Sequence, residues 1–105
     1  MDADLELWIG LVELRPFDKK AYGAAGSFTS IITWASNVVQ FRQKAETIAS
    51  TLGLFVVDVE YAEPYLERLQ AHEVSEDVEG MASRAKGNPN AIVYGTFHRY
   101  RQDEA

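Results

Sequence analysis

Residues 27–52 read SFTSIITWASNVVQFRQKAETIASTL, and the fold depends on whether this stretch is one helix or a strand followed by a helix. Its first third is dense in β-branched and aromatic residues, which fit a pleated sheet better than a helical turn. Asn37, with Gln40 three residues later, is typical of a capping box at the start of a helix. We therefore predict a strand over residues 27–35 and a helix that begins within two residues of Asn37 and closes at Gly53.

Three further segments show the apolar patterns of strands. They are residues 5–14, 54–61 and 91–100. The first has apolar side chains on both faces, which favours an interior position in the sheet. In the second, every other residue from Phe55 to Tyr61, Val57 among them, is assigned to the core face. Asp58 and Glu60, together with Leu54 and Val56, are assigned to the opposite face.

Proline and serine mark the remaining helix starts. Pro64 suits the first turn of a short helix through about Leu69, and Ser75 suits the cap of a second helix. Residues 17–26 show little periodicity and are predicted as a loop.

The predicted order is ββαβαβ, with the two later helices counted as one helical unit. It gives a single α+β domain over residues 1–105, a two-layer sandwich with a four-stranded sheet and the helices on one face. If residues 27–52 formed one helix and residues 65–74 a strand, the order would be the ferredoxin-like βαββαβ.

Composition limits the kinds of partner. Ten Lys and Arg against sixteen Asp and Glu give a net charge of −6, which repels nucleic acid and anionic lipid, so neither nucleic acid nor a membrane is an expected partner. The acidic residues 1–6 lack the basic and apolar regions of a signal peptide, so a cytoplasmic location is expected. The chain contains no cysteine, and neither a metal nor a cofactor is predicted.

Candidate ligand-binding residues gather near the end of the chain. Arg99 and Arg101 form a basic pair that could bind a carboxylate or another anion, because a guanidinium offers two parallel donors. His98 shares a strand face with Tyr100 and could hydrogen-bond a ligand or act as a base. Arg15, His98, Arg99 and Tyr100 are predicted to line a pocket between the 15–27 loop and the last strand.

Other candidate sites have ordinary structural explanations. Asp58 and Glu60 share a strand face, as acid–base or metal-binding carboxylates do, but so do the residues of any solvated strand face. His72 beside Glu73 is typical of an exposed connection between helices. Residues 23–27 (GAAGS) could present backbone amides to an anion, or form a loop tip. No catalytic residue is assigned, and catalysis is not favoured.

The aromatic residues favour an interaction surface. With all helices on one face of the sheet, Trp8, Val12 and Tyr94 would lie on the open face, and apolar patches of this kind mark interfaces. The leading hypothesis is a non-catalytic cytoplasmic module that forms a homodimer or caps a protein partner, with a basic partner such as a nucleic-acid-cutting toxin suiting its charge. The alternative is a small-molecule-binding protein or minor enzyme that uses the pocket beside the last strand.

Overall fold

The computed structural model describes residues 5–101 and shows an α+β fold. Its elements are β1 (Glu6–Pro16), α1 (Lys19–Tyr22), β2 (Gly26–Ala35), α2 (Val38–Thr51), β3 (Leu54–Pro64), α3 (Tyr65–Ala71), α4 (Glu76–Lys86), β4 (Ile92–Tyr94) and β5 (His98–Tyr100). Most of the acidic stretch behind the expectation of a cytoplasmic location, residues 1–4, lies outside the described residues. No helix among the described residues is long and apolar enough to cross a bilayer.

The boundary between β2 and α2 lies where the sequence predicts it. The Asn37 side chain accepts a hydrogen bond from the Gln40 amide at 2.9 Å, and the Gln40 side chain accepts one from the Ser36 amide at 2.7 Å. Gly53 has a φ of 76°, as expected of the left-handed residue after the helix. The ferredoxin-like alternative is wrong, because residues 27–35 are a strand and residues 65–71 are a helix.

The sheet is antiparallel at every described pairing, in the order β3-β1-β2-β4. The interior position predicted for β1 is confirmed. The single last strand predicted over residues 91–100 is divided, because β4 pairs with residues 31–33 of β2 whereas β5 pairs with residues 26–28. The register shifts by one residue between the two, where the Gly95 amide donates to the Ser30 carbonyl at 3.0 Å. The described sheet therefore has five strands instead of four.

Helices cover both faces of the sheet, which corrects the predicted two-layer arrangement. One face, here called the α2 face, buries Val12, Leu14 and Ile31 with α2. The opposite face, here called the α4 face, buries Leu7 and Ile9 together with α3 and α4. The physical reason lies in β1, whose apolar residues point to both faces and require a cover on each.

Strand β3 does not keep the alternation that its sequence suggests. Leu54, Val56 and Val59 pack toward the α2 core, whereas Phe55 is 41% exposed and Tyr61 is 76% exposed. Two β-bulges cause this, since each inserts one extra residue into β3 opposite β1 and shifts the alternation by one position. The first bulge lies at Val57, and the second lies at residues 61–62, opposite Gly10. The prediction of the core face is therefore correct for Val59 and wrong for Phe55 and Tyr61, and Val57 belongs to neither core cluster. The opposite face predicted for Leu54 and Val56 is also wrong.

Candidate functional site

The α4 face is covered by helices over only part of its area. Its covered residues are Leu7, Ile9, Ile32, Trp34 and Val93. The register places a second group on the same face, outside that cluster; we call it the open half-face, and it consists of Leu11, Glu13, Arg15, Phe28, Ser30, Asp58, Glu60, His98 and Tyr100. Aromatic, acidic and basic side chains thus share one region of the sheet outside the cluster that α3 and α4 cover. Arg15, Asp58, Glu60 and His98 are exposed there, whereas Tyr100 is buried.

A cleft of about 590 Å³ lies where the open half-face meets the connection between α3 and α4. Its lining comprises Ile9, Gly10, Leu11, Ser30, Tyr61, Glu63, Arg68, His72, Glu73, Val74, Ser75 and Val78. Aliphatic side chains come from β1 and from the start of α4, while the charged side chains come from β3, α3 and the connection. This volume is within the usual range for ligand pockets, and the lining combines aliphatic side chains with several polar and charged ones.

Arg68 holds the second bulge of β3 at the edge of the cleft. Its Nε donates to Glu63 Oε2 at 2.5 Å and its Nη2 donates to the Tyr61 carbonyl at 2.8 Å. Tyr61 has a φ of 56°, in the left-handed region that bulky residues rarely adopt. Opposite this bulge is Gly10, where an added Cβ would lie 2.8 Å from Phe41 Cε1. Gly10 therefore leaves room for the Phe41 ring on the α2 face, and Arg68 from α3 holds the bulge.

A hydrogen-bonded network crosses the far end of the open half-face. The Tyr100 hydroxyl donates to Glu13 Oε2 and accepts from Arg15 Nε at 3.4 Å. Arg15 Nη2 lies 3.8 Å from the same Glu13 oxygen. Burial raises the pKa of the Tyr100 hydroxyl, and the hydrogen bond to Glu13 raises it further. Tyr100 therefore keeps its proton beyond the pH at which an exposed tyrosine loses it.

The four residues predicted to bind a ligand are divided between the two faces of the sheet. Arg15 and Tyr100 are in contact, and the register places His98 on their face. Arg99 lies on the α2 face, where its guanidinium carbon is 4.5 Å from the centre of the Tyr22 ring. It borders a separate groove of about 250 Å³ that also contains Tyr22, Leu52, Leu54, Tyr94 and Phe97. A groove thus exists between the 15–27 segment and the last strand, but only Arg99 of the four lines it.

The residues predicted to form an interface are mostly covered. Val12 is fully buried, and Trp8 packs on Phe41 of α2 with ring centres 6.5 Å apart. These two side chains do not lie on an open face, because α2 occupies the face that was expected to be open. Tyr94 is 39% exposed and makes an edge contact with Phe97.

The loop at residues 23–27 is structural. Gly23, with a φ of 78°, ends the short helix α1, and Asp18 caps its start. The prediction of residues 17–26 as a loop is therefore wrong for this helical turn. The Ala25 amide donates to the Tyr100 carbonyl, and Ser27 is buried and bonded to the Tyr22 hydroxyl. The positive φ of Gly23 and the burial of Ser27 account for these two residues of the loop.

The cleft gives His72 and Glu73 a place in the candidate site, and it includes three residues that the sequence analysis did not single out for function, Tyr61, Glu63 and Arg68. No periodic signal points to them, because they meet through a bulge. Within residues 5–101, no group of three or more histidine or acidic residues is arranged to hold a metal ion.

No protein-family model matches the chain, and neither the curated proteins nor the solved structures give a significant match.

Proposed function

We propose that the protein is a non-catalytic binding module that holds an extended, basic segment of a protein partner across the open half-face. The observation that carries this proposal is the cleft of about 590 Å³ beside an uncovered region of sheet. Its apolar floor can accept a side chain of the partner, and its charged rim can fix the orientation of that side chain. The uncovered sheet then accommodates the rest of the segment.

The charges around the cleft favour a cationic partner. Asp58 lies directly opposite Glu13 in the register, and like charges in that position destabilise a strand pair. Arg15 pairs with Glu13 and Arg68 pairs with Glu63. Three further carboxylates, those of Asp58, Glu60 and Glu73, form no ion pair with any other described residue. A basic segment would neutralise them, and the net charge of −6 would speed its approach.

The same charges disfavour a second copy of this chain as the occupant. A two-fold interface places the same surface of both copies together, so it would bring carboxylates against carboxylates. We therefore favour a different, basic protein over the homodimer. A cytoplasmic setting suits this proposal, since a chain without cysteine needs no oxidising compartment.

A labelled peptide that alternates lysine with threonine around one central arginine tests the proposal. We expect it to bind and to shift the NMR signals of Leu11, Ser30 and Val74, with affinity falling as salt rises. The double variant Asp58→Asn/Glu60→Gln should weaken binding by about fivefold, since exposed ion pairs contribute up to about 1 kcal/mol.

The control is Glu46→Gln, which removes a carboxylate from α2 on the opposite face and should leave the affinity unchanged. Equal losses in the control and the double variant, or signal shifts centred on α2, would show only nonspecific attraction. An acidic peptide of the same length should not bind.

A second candidate function rests on the groove beside Arg99. Aromatic side chains of Tyr22, Tyr94 and Phe97 line it, and the guanidinium of Arg99 stacks on one of them. This combination suits a small aromatic carboxylate, because the rings can stack on the ligand while the guanidinium pairs with its charge.

A further inference from the structure

We propose that the ring of Tyr61 closes the cleft over one arginine side chain of the bound segment and so selects arginine at that position. This inference rests on the proposed function and deepens it by naming the anchoring group. Its starting point is a residue whose identity the fold does not explain.

The backbone at Tyr61 is in an unfavourable conformation for its residue type. A φ of 56° is common for glycine and accessible to asparagine, but it is an outlier for a large side chain. The bulge itself needs only a backbone carbonyl at this position, because that carbonyl is the atom that Arg68 binds. A smaller residue would therefore serve the fold as well or better.

The ring of Tyr61 does not compensate for this strain by packing. It is 76% exposed, it belongs to neither core cluster, and within residues 5–101 it has no aromatic partner and its hydroxyl has no hydrogen bond. Strained residues that the fold does not require are concentrated at binding sites. Because Tyr61 borders the cleft, its ring is placed to contact whatever enters.

The lining of the cleft matches the parts of an arginine side chain. Ile9, Leu11 and Val78 supply aliphatic surface for its methylene stem. The exposed ring of Tyr61 offers a face to the guanidinium. Glu73 lines the cleft without an ion pair to another described residue and can accept a charge-assisted hydrogen bond.

The charge of Arg68 does not oppose this assignment, since Glu63 neutralises it. A planar guanidinium stacks on an aromatic ring and forms bidentate hydrogen bonds with a carboxylate, so arginine fits better than lysine. The surface as a whole thus favours basic residues, and the cleft favours arginine among them.

Tyr61→Asn and Tyr61→Phe, with the lysine–threonine peptide carrying one central arginine, test this inference. Asparagine tolerates positive φ but lacks the ring, so its urea midpoint should equal or exceed that of the wild type, while its affinity for the peptide should fall by roughly fivefold. Phenylalanine keeps the ring and should preserve the affinity. Replacing the central arginine by citrulline, which is neutral and of similar shape, should remove the difference between wild type and Tyr61→Asn.

The outcomes separate this inference from the proposed function. If the wild type binds the peptide and Tyr61→Asn binds it equally well, the role of Tyr61 is wrong and the basic-segment proposal stands. If Tyr61→Asn lowers the urea midpoint, the ring is structural and the inference is overturned. If the wild type does not bind the peptide at all, the proposed function and the inference both fall.

Discussion

At the scale of single residues, Gly26 and Tyr100 show how one small residue joins distant parts of the chain. A Cβ at Gly26 would overlap the Tyr100 ring and hydroxyl. Its absence lets Tyr100 lie across β2 and reach Glu13 on β1. The end of the described chain is thereby tied to the first strand, and the carboxylate of Glu13 gains a buried donor.

The raised pKa of Tyr100 predicts how stability depends on alkaline pH. An unfolded tyrosine loses its proton near pH 10, whereas burial and the bond to Glu13 keep Tyr100 protonated in the folded state. This stabilisation is complete below the unfolded pKa and is lost as the pH rises through the folded pKa. We expect Tyr100→Phe to cost about 1 kcal/mol near neutral pH and to flatten the fall in stability above pH 10.

Urea unfolding of the wild type and of Tyr100→Phe at several alkaline pH values measures how the free energy of unfolding of each protein changes with pH. Some pH dependence should remain in the variant, because burial also raises the pKa of Tyr65. Identical slopes in the two proteins would mean that Tyr100 titrates in the folded state as it does in the unfolded state.

At the scale of elements, the local sequence determines where a helix begins, but it does not determine which residues of a strand face the core. Asn37 and Ser75 cap their helices as predicted, because a cap depends on a few neighbouring residues. The faces of β3 depend on how many residues oppose β1, and the bulges that change this number leave no mark in the alternation of the sequence.

The bulges in β3 predict that a charge at Val56 destabilises the fold more than a charge at its neighbour Val57. Val56 packs against the α2 core, while Val57 is the extra residue of the first bulge and belongs to neither core cluster. We expect Val56→Asp to destabilise by about 3 kcal/mol or more, through a buried charge, and Val57→Asp by about 1 kcal/mol. Free energies from urea unfolding check this, and a larger loss for Val57→Asp would restore the simple alternation and remove the bulge.

At the scale of the whole molecule, the candidate site was beyond reach of the sequence because it depends on where the helices lie. The cleft combines residues of β1, β3, α3 and α4, and it exists because the α3–α4 pair covers only part of the second face. The apolar stripe of α4 indicates that it packs on the sheet. The stripe does not say which face α4 covers, and because α4 lies on the face opposite α2, the two faces of the sheet are each covered and α2 packs over Trp8 and Val12.

The arrangement of the sheet edges predicts the behaviour of the chain in solution. The homodimer expected from the sequence rested largely on Trp8 and Val12, which α2 now covers. The long edge strand β3 carries Asp58 and Glu60 and two bulges, and such features prevent edge-to-edge pairing. Along the other side of β2, residues 5–101 form only the short strands β4 and β5. At micromolar concentration, light scattering should therefore give a mass close to the 11.8 kDa of one chain.

The double variant Asp58→Asn/Glu60→Gln removes the negative charges from the β3 edge and should increase association at higher concentration. A wild-type mass near twice that of the chain would instead show that another surface joins two copies.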